Sequence, residues 1–440
     1  MEKTMNDNPD ANQPFNLETP LEFEMQEELK NKNLCKVRTV TTFINLDLDM
    51  TTWHAVLEDA IKHCEKIVAG LGNEGYTVQS IRIVTNPFGE YLDTSKVLTA
   101  ATGLATITDI LATLNKGKNG LRVRFAIGEA KTAQEISILP ELIAQYGDLC
   151  NACVNVTAND IGILDNALIE QCASAVQNIA KLTPRGEGNF NFTVNFNCDE
   201  FIPYFPASYH SGEVNKGFVI GLETPDLLVK TLQQVRKQSS FDSASYQQRQ
   251  RIAFDALSVA LQYHIDNVDS CVKRLNAASG WNYLGMDTSP APSKDCHSMV
   301  KVYKLLGVPY FGASGTVEIS ALLTKVFKSI TGIDIIGFSG LMLAVTEDKG
   351  LAQATIDNEF DIPMLLTNSA VCGIGLDTVP IPGHTPIDKL CALMRDTGTM
   401  AYRLNKPLTV RVFPILELKA GDMTQFQSSD LCNCAVLAVP

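Results

Sequence analysis

The segment Cys35–Asn86, CKVRTVTTFINLDLDMTTWHAVLEDAIKHCEKIVAGLGNEGYTVQSIRIVTN, decides the fold class. Val37, Val40, Thr42 and Ile44 mark a strand that ends at Asn45. Trp53, Val56, Leu57, Ala60, Ile61, Cys64, Ile67 and Val68 then recur at three- and four-residue spacing, which predicts an amphipathic helix capped by Thr51 or Thr52. Gly70, Gly72 and Gly75 are expected to end it. VQSIRIVTN predicts a second strand, closing at Asn86. A strand, a helix and a strand in succession form one crossover unit of a parallel sheet.

The alternation continues outward from this unit. Strands are expected in LRVRFAIGEA, NACVNVTAND, NFNFTVNFNCDE, GFVIGLE, WNYLGMD, FSGLMLAVTED, AVCGIGLD, PLTVRVFPI and CAVLAVP. Helices are expected around Thr94–Asn115, Gln134–Tyr146, Asn166–Leu182, Thr224–Lys237, Tyr246–Ser279, Gly315–Ile330 and Pro386–Leu404. Roughly ten strands separated mostly by helices predict a mostly parallel sheet with helices outside. A closed α/β barrel and an open doubly wound sheet both satisfy the pattern. No linker splits the chain, so residues 35–440 read as a single α/β domain behind a polar surface tail over 1–34. In that tail LEFEMQEELKNKN suits a short acidic helix.

With 440 residues, 45% hydrophobic and 19% charged, the chain can bury a large core. A net charge of -13 without a dense Lys/Arg cluster argues against a nucleic-acid partner. The apolar runs fall short of the roughly 20 residues a membrane span needs. The polar start MEKTMNDNPDANQPFN does not read as a secretory leader. Twelve cysteines without a disulfide rhythm read as buried, reduced thiols, so a cytoplasmic protein is expected. Ile252, Leu257, Val259 and Leu261 on the long Gln- and Arg-rich helix suit either a partner subunit in a homo-oligomer or the chain's own body.

Many strands end on a polar residue: Asn45, Asn86, Glu129, Asp160, Asp199, Glu223, Asp287, Glu347 with Asp348, and Asp377. In parallel α/β folds the carboxyl ends of the strands share one side, where ligands bind. A set of carboxylates there suits a cationic substrate, a divalent metal or acid–base chemistry. Each residue alone is equally a helix cap or turn opener. The stretch VCGIGLDTVPIPGHTP (Val371–Pro386) adds Cys372 and His384 to Asp377. Its first half reads as a buried strand. Its second half, with Pro380, Pro382 and Gly383, reads as a rigid loop.

His210, in PYFPASYH, and His297 and His384 fall on expected loops, where function concentrates. His54 and His63 are placed at the polar margin of the first helix, and His264 is read as structural. Cys150/Cys153, Cys432/Cys434 and Cys296–His297 do not form a zinc-finger array. A divalent metal on His210, Glu223, Asp377 or His384 is the alternative metal site. Cys372 is a candidate nucleophile with His210 or His384 as its base, or else a small buried strand residue. Phosphate loops and G-x-S-x-G are missing.

The stretches VRTVTTFINL, CVNVTANDIGI, FPASYHSG with GFVIGLE, SPAPS, FGASGTVE, GLMLAVTEDKG, AVCGIGLDTVPIPGHTP and LTVRVFP span most of the chain from about Lys36. Through them the chain resembles the family called domain of unknown function 711, or uncharacterised protein family 0210. The resemblance implies a barrel like that of pyruvate formate-lyase and other glycyl radical enzymes, of about ten strands with the site inside. It implies no established reaction. Glycyl radical enzymes carry a glycine in an Arg-Val-x-Gly loop. The nearest look-alike here, Arg411-Val412-Phe413-Pro414, has none, so no glycyl radical is expected. Relatives tend to read PGDTP where this chain has PGHTP, which makes His384 particular to it.

The combined expectation is a closed barrel with outer helices that acts on a small polar metabolite by acid–base, thiol or metal-assisted lyase or hydrolase chemistry. Cys372, Asp377, His210 and Glu223 are the catalytic candidates. Asn45, Asp287, Glu347, His384 and Arg411 are the substrate-binding candidates. A non-catalytic small-molecule sensor or scaffold is the alternative.

Overall fold

The computed structural model describes residues 23–115, 121, 123–238, 241 and 243–440. Most of the expected tail therefore lies outside the described residues. Its described end makes 3-10 turns at Glu27–Lys30 and Lys32–Leu34 and buries Leu29. In chain order the elements are β1 (Lys36–Ile44), α1 (Trp53–Asn73), β2 (Ile81–Thr85), α2 (Val97–Leu114), β3 (Val123–Glu129), α3 (Ala133–Tyr146), β4 (Asn151–Val156), α4 (Asn166–Leu182) and β5 (Phe192–Phe196). They continue as β6 (Gly217–Glu223), α5 (Pro225–Arg236), α6 (Tyr246–Asn276), β7 (Asn282–Asp287), α7 (Met299–Leu305), α8 (Thr316–Lys328), α9 (Lys349–Ile356), α10 (Ile362–Ser369), β8 (Gly375–Pro382), α11 (Ile387–Arg403) and β9 (Leu408–Ile415).

The strands form one nine-stranded sheet in the order β7-β6-β1-β2-β3-β4-β5-β9-β8. β1 to β5 run parallel, but β6 pairs antiparallel with β1 and β9 antiparallel with β5. Six of the eight neighbouring pairs are parallel, as expected, but the two antiparallel pairs correct the expectation that all strand ends share one side. The reason is local: between β5 and β6 the chain runs through a loop with no crossover helix, so β6 returns in the opposite direction. β7 follows β6 and β8 follows β9 in parallel pairs.

Three other expectations change. FSGLMLAVTED is not a strand, because several of its backbone donors go to side chains and others to local turns. The Phe338 and Ser339 amides donate to Asp287, Gly340 N to Ser289 Oγ and Thr346 N to Thr378 Oγ1. Its residues and those just before it make two backbone bridges to the sheet, Met286–Ile335 and Ala344–Asp377. The prolines after Asp377 lie inside β8 rather than in a loop. β8 is an outer strand of the sheet, and the Pro380 carbonyl faces away from β9 to accept Leu437 N at 2.9 Å. A missing N–H on that side costs no ladder bond. CAVLAVP, finally, contributes a single bridge, Met423–Ala435.

Alternation along the strands, interrupted in β1 by a register shift between Val37 and Thr39, divides the sheet into two faces. Val40, Ile83, Phe125, Val154, Val194, Ile220, Leu376 and Val410 join the buried sides of the helices in one apolar core. Leu257 and Leu261 of α6 lie in that core too, while Val259 is exposed. α2 is long and apolar enough to cross a membrane by those measures alone, yet Ala100, Leu104, Ile107 and Leu111 face the same core. α1 runs through Gly70 and Gly72, which were expected to stop it. A Cβ at Gly70 would stand 2.2 Å from Leu275 Cδ1, so this glycine serves the close approach of α6.

His63 is not at the helix margin but buried, with its ring stacked on Trp281 at 4.6 Å. Its Nε2 has no hydrogen-bond partner among the described residues, and burial pushes its pKa down to about 4. Unfolded histidine titrates near 6.5, so this group's contribution is full above pH 6.5 and is lost as pH falls towards 4. His63→Phe keeps the apolar ring and removes the proton-binding site. The variant is expected to be about 2 kcal/mol more stable relative to wild type at pH 5 than at pH 8. Urea midpoints at the two pH values check this, and an equal difference at both would refute it.

Candidate functional site

The other face of the sheet carries the charges. Alternation turns Arg38, Arg82, Thr193, Thr409, Arg411 and Asp377 away from the helices, and all six line one cavity of about 50 Å³. Phe205, Phe338, Met342 and Ile374 add apolar wall. By volume, the cavity has room for about three or four waters, or a ligand of about four to six heavy atoms.

The loop between β5 and β6 covers this face and supplies acceptors. Thr41 Oγ1 donates to Pro203 O at 2.9 Å, Arg82 to the same carbonyl at 3.3 Å and Asn195 Nδ2 to Ala207 O at 3.1 Å. Tyr204 tucks under Gly221, where a Cβ would stand 2.8 Å from the ring, and its hydroxyl exchanges hydrogen bonds with the Leu222 backbone.

Alternating charges run across the sheet. Lys36 Nζ lies 3.0 Å from Glu223, and Arg38 lies 3.7 Å from Glu223 and 3.9 Å from Glu347. Arg411 then donates to Glu347 at 2.7 Å and to Asp377 at 2.6 Å, with its guanidinium over the Phe190 ring. Burial pushes the Glu347 carboxyl up against the pull of Arg411, with Asp377 adding to the rise. A raised pKa favours the protonated form relative to an ordinary glutamate, the direction a general acid needs.

Arg82 stands outside this chain. It is 6% exposed, and no carboxylate of the described residues comes within 4.0 Å of it. Its Nε has no hydrogen-bond partner among the described residues. Burial disfavours its charge, and Arg124, its direct cross-strand neighbour, and Arg38 add repulsion against a smaller pull from Glu347, while the Phe205 ring lies 5.0 Å from the guanidinium. A guanidinium does not shed its proton in a protein, so the charge stays and calls for an anion.

Of the sequence candidates, the structure brings together Asp377, Glu347 and Arg411, with Glu223 joined through Arg38. Glu223 is aligned with Lys36 at the start of β1. His210 is at the other end of β1, its Nε2 donating to Ile44 O at 3.2 Å, about 25 Å away by strand length. Burial pushes its pKa down to about 4, and its Nδ1 has no partner among the described residues. Asn45 is at that same end, bonded to Gly212 O at 2.7 Å.

Asp287 faces the inner side but accepts three backbone amides, from Ser289, Phe338 and Ser339, and so anchors the segment that walls the cavity. Cys372 belongs to the apolar core on the helix side, its Sγ accepting Gly375 N at 3.5 Å. His384 is exposed beyond β8. Among the described residues no group of three or more His, Cys, Asp or Glu is placed to hold a metal ion. All twelve cysteines are free.

Arg38 and Arg82 were missed by reading strand ends. The available signal was arginine inside otherwise apolar strands: KVRTV, SIRIV and TVRVF each carry one, and in SIRIV and TVRVF it alternates with core-facing residues. Arg411 to Pro414, the look-alike of the radical loop, lie within β9.

A mixed α/β sheet with helices on one face and a charged cavity on the other defines the class of this protein. The chain belongs to the family described as Uncharacterised ACR (DUF711), matched over residues 28–428. Similar proteins include the UPF0210 protein of Clostridium botulinum (strain Alaska E43 / Type E3), 26% identical over 414 residues, covering 89% of this chain and 88% of that one. The UPF0210 protein of Clostridium beijerinckii is 26% identical over 409 residues, with the same coverage of 89% and 88%. Among solved structures, the anaerobic ribonucleotide reductase from Thermotoga maritima with citrate in the active site is similar at a TM-score of 0.39 and 8% identity, covering 85% of this chain and 80% of that one.

Proposed function

We propose that this protein is a cytoplasmic enzyme that binds a small carboxylate in the inner cavity and acts on it by acid–base chemistry of the lyase or hydrolase kind. The buried, unmatched Arg82 guanidinium at the cavity wall carries the reading. Such a charge is costly until an anion meets it. Arg82 would hold the carboxylate, and Glu347, with its raised pKa, would move the proton. The bridges of one connecting segment to both β7 and β8 support closure of the sheet into a barrel around the site. Twelve free thiols support a reducing compartment.

Arg82→Met separates function from stability. It removes an unmatched buried charge, so the free protein is expected to be as stable as wild type or more so. Affinity for whichever small acid binds should fall by about tenfold to a hundredfold, as a charged hydrogen bond of about 1.5–3 kcal/mol is lost. Calorimetric titration with a panel of small amino, hydroxy and oxo acids, beside urea denaturation, checks both. A folded variant that binds as wild type does would end this reading.

A further inference from the structure

Resting on that carboxylate reading, we propose that the cavity is built for a zwitterion, a small α-amino acid whose carboxylate meets Arg82 and whose ammonium meets Glu347 and Asp377. The cavity wall holds both signs of charge: Arg38, Arg82 and Arg411 against Glu347 and Asp377. Arg411 occupies only one oxygen of each carboxylate, Oε1 of Glu347 and Oδ1 of Asp377. The remaining oxygens accept no hydrogen bond from the described residues; the nearest cation to Glu347 Oε2 is Arg38 Nη2 at 3.9 Å, beyond hydrogen-bond reach. Arg82 is the opposite case, a buried cation with an unpaired Nε and no carboxylate in contact. The cavity thus presents one unmet cation and two half-met anions.

Other ligand classes satisfy only part of this. A dicarboxylate would set its second charge against Glu347 and Asp377, and like charges repel. A simple amine leaves Arg82 unmatched. A hydroxy acid of the same size answers Arg82 but leaves the carboxylate oxygens without a cationic donor. The cavity of about 50 Å³ limits the ligand to the size of glycine or alanine. Phe338, Met342 and Ile374 suit a short apolar side chain over a long polar one.

Full-length protein titrated calorimetrically with glycine, L-alanine, glycolate, L-lactate and ethylamine tests this. Glycine or L-alanine should bind, with glycolate and L-lactate at least about tenfold weaker and ethylamine not detected. Glu347→Gln should narrow the preference of L-alanine over L-lactate; Asp377→Asn gives the same reading if the first variant fails to fold. Equal binding of amino and hydroxy acids would overturn the zwitterion and leave the carboxylate reading standing. Binding of none of the four acids would overturn both. An unchanged preference in both variants would remove the ammonium from these carboxylates.

Discussion

Arg411→Met is expected to cost about 3–5 kcal/mol of stability, the loss typical of breaking a buried ion pair from one side. Arg411 joins Glu347 and Asp377 at 2.7 and 2.6 Å, and its side chain is 6% exposed. Methionine keeps the stem against Phe190 but removes the cation that both carboxylates hydrogen-bond, leaving only Arg38 at 3.9 Å from Glu347. The geometry explains why the loss should exceed that of a surface pair, which is usually under about 1 kcal/mol. The cost should shrink in acid, where Glu347, already pushed up by burial, takes a proton more readily. Urea denaturation at neutral and acid pH measures it. A loss below about 1 kcal/mol at neutral pH would mean that the pair is solvated and that the cavity is wetter than its walls imply.

Gly285→Ala is expected to cost about 2–5 kcal/mol and to loosen the cavity wall. Gly285 has φ of +133°, and a Cβ there would stand 2.2 Å from the Asp334 carbonyl oxygen. That oxygen accepts Met286 N at 3.0 Å, and Met286 O accepts Ile336 N at 3.2 Å. The substituted strand must push Asp334 away and weaken both bonds, on top of the backbone strain. Immediately downstream, Asp287 holds the amides of Phe338 and Ser339, so the disturbance reaches residues that face the ligand. Hydrogen exchange should show faster amides at Ile336, Phe338 and Ser339. Unchanged exchange and an unchanged urea midpoint would show that the segment can move aside freely.

The parts of this protein that local chemistry dictates were readable along the chain. The three- and four-residue rhythm from Trp53 to Val68 makes α1 because one helical face must be apolar. Two-residue alternation in β1, β2, β5 and β9 made the strands visible, since inward and outward positions differ in polarity. Glu347 and Asp377 were grouped as polar strand ends on one side, but nothing in the sequence joined Arg411 to them.

Only the tertiary structure decided which way the strands run and which charges meet. A strand looks the same from its residues whether its neighbour is parallel or antiparallel, so the reversed β6 to β9 half split the expected set of strand ends between opposite sides. Ion pairs depend on that path. Arg411 reaches 34 residues back to Asp377 and 64 back to Glu347, and Lys36 meets Glu223 across 187 residues. Periodicity is a property of neighbours in sequence and carries no information about such distances. The charge left over in Arg82 is therefore a property of the fold: it is unmatched only because the sheet brings every nearby carboxylate to another cation first.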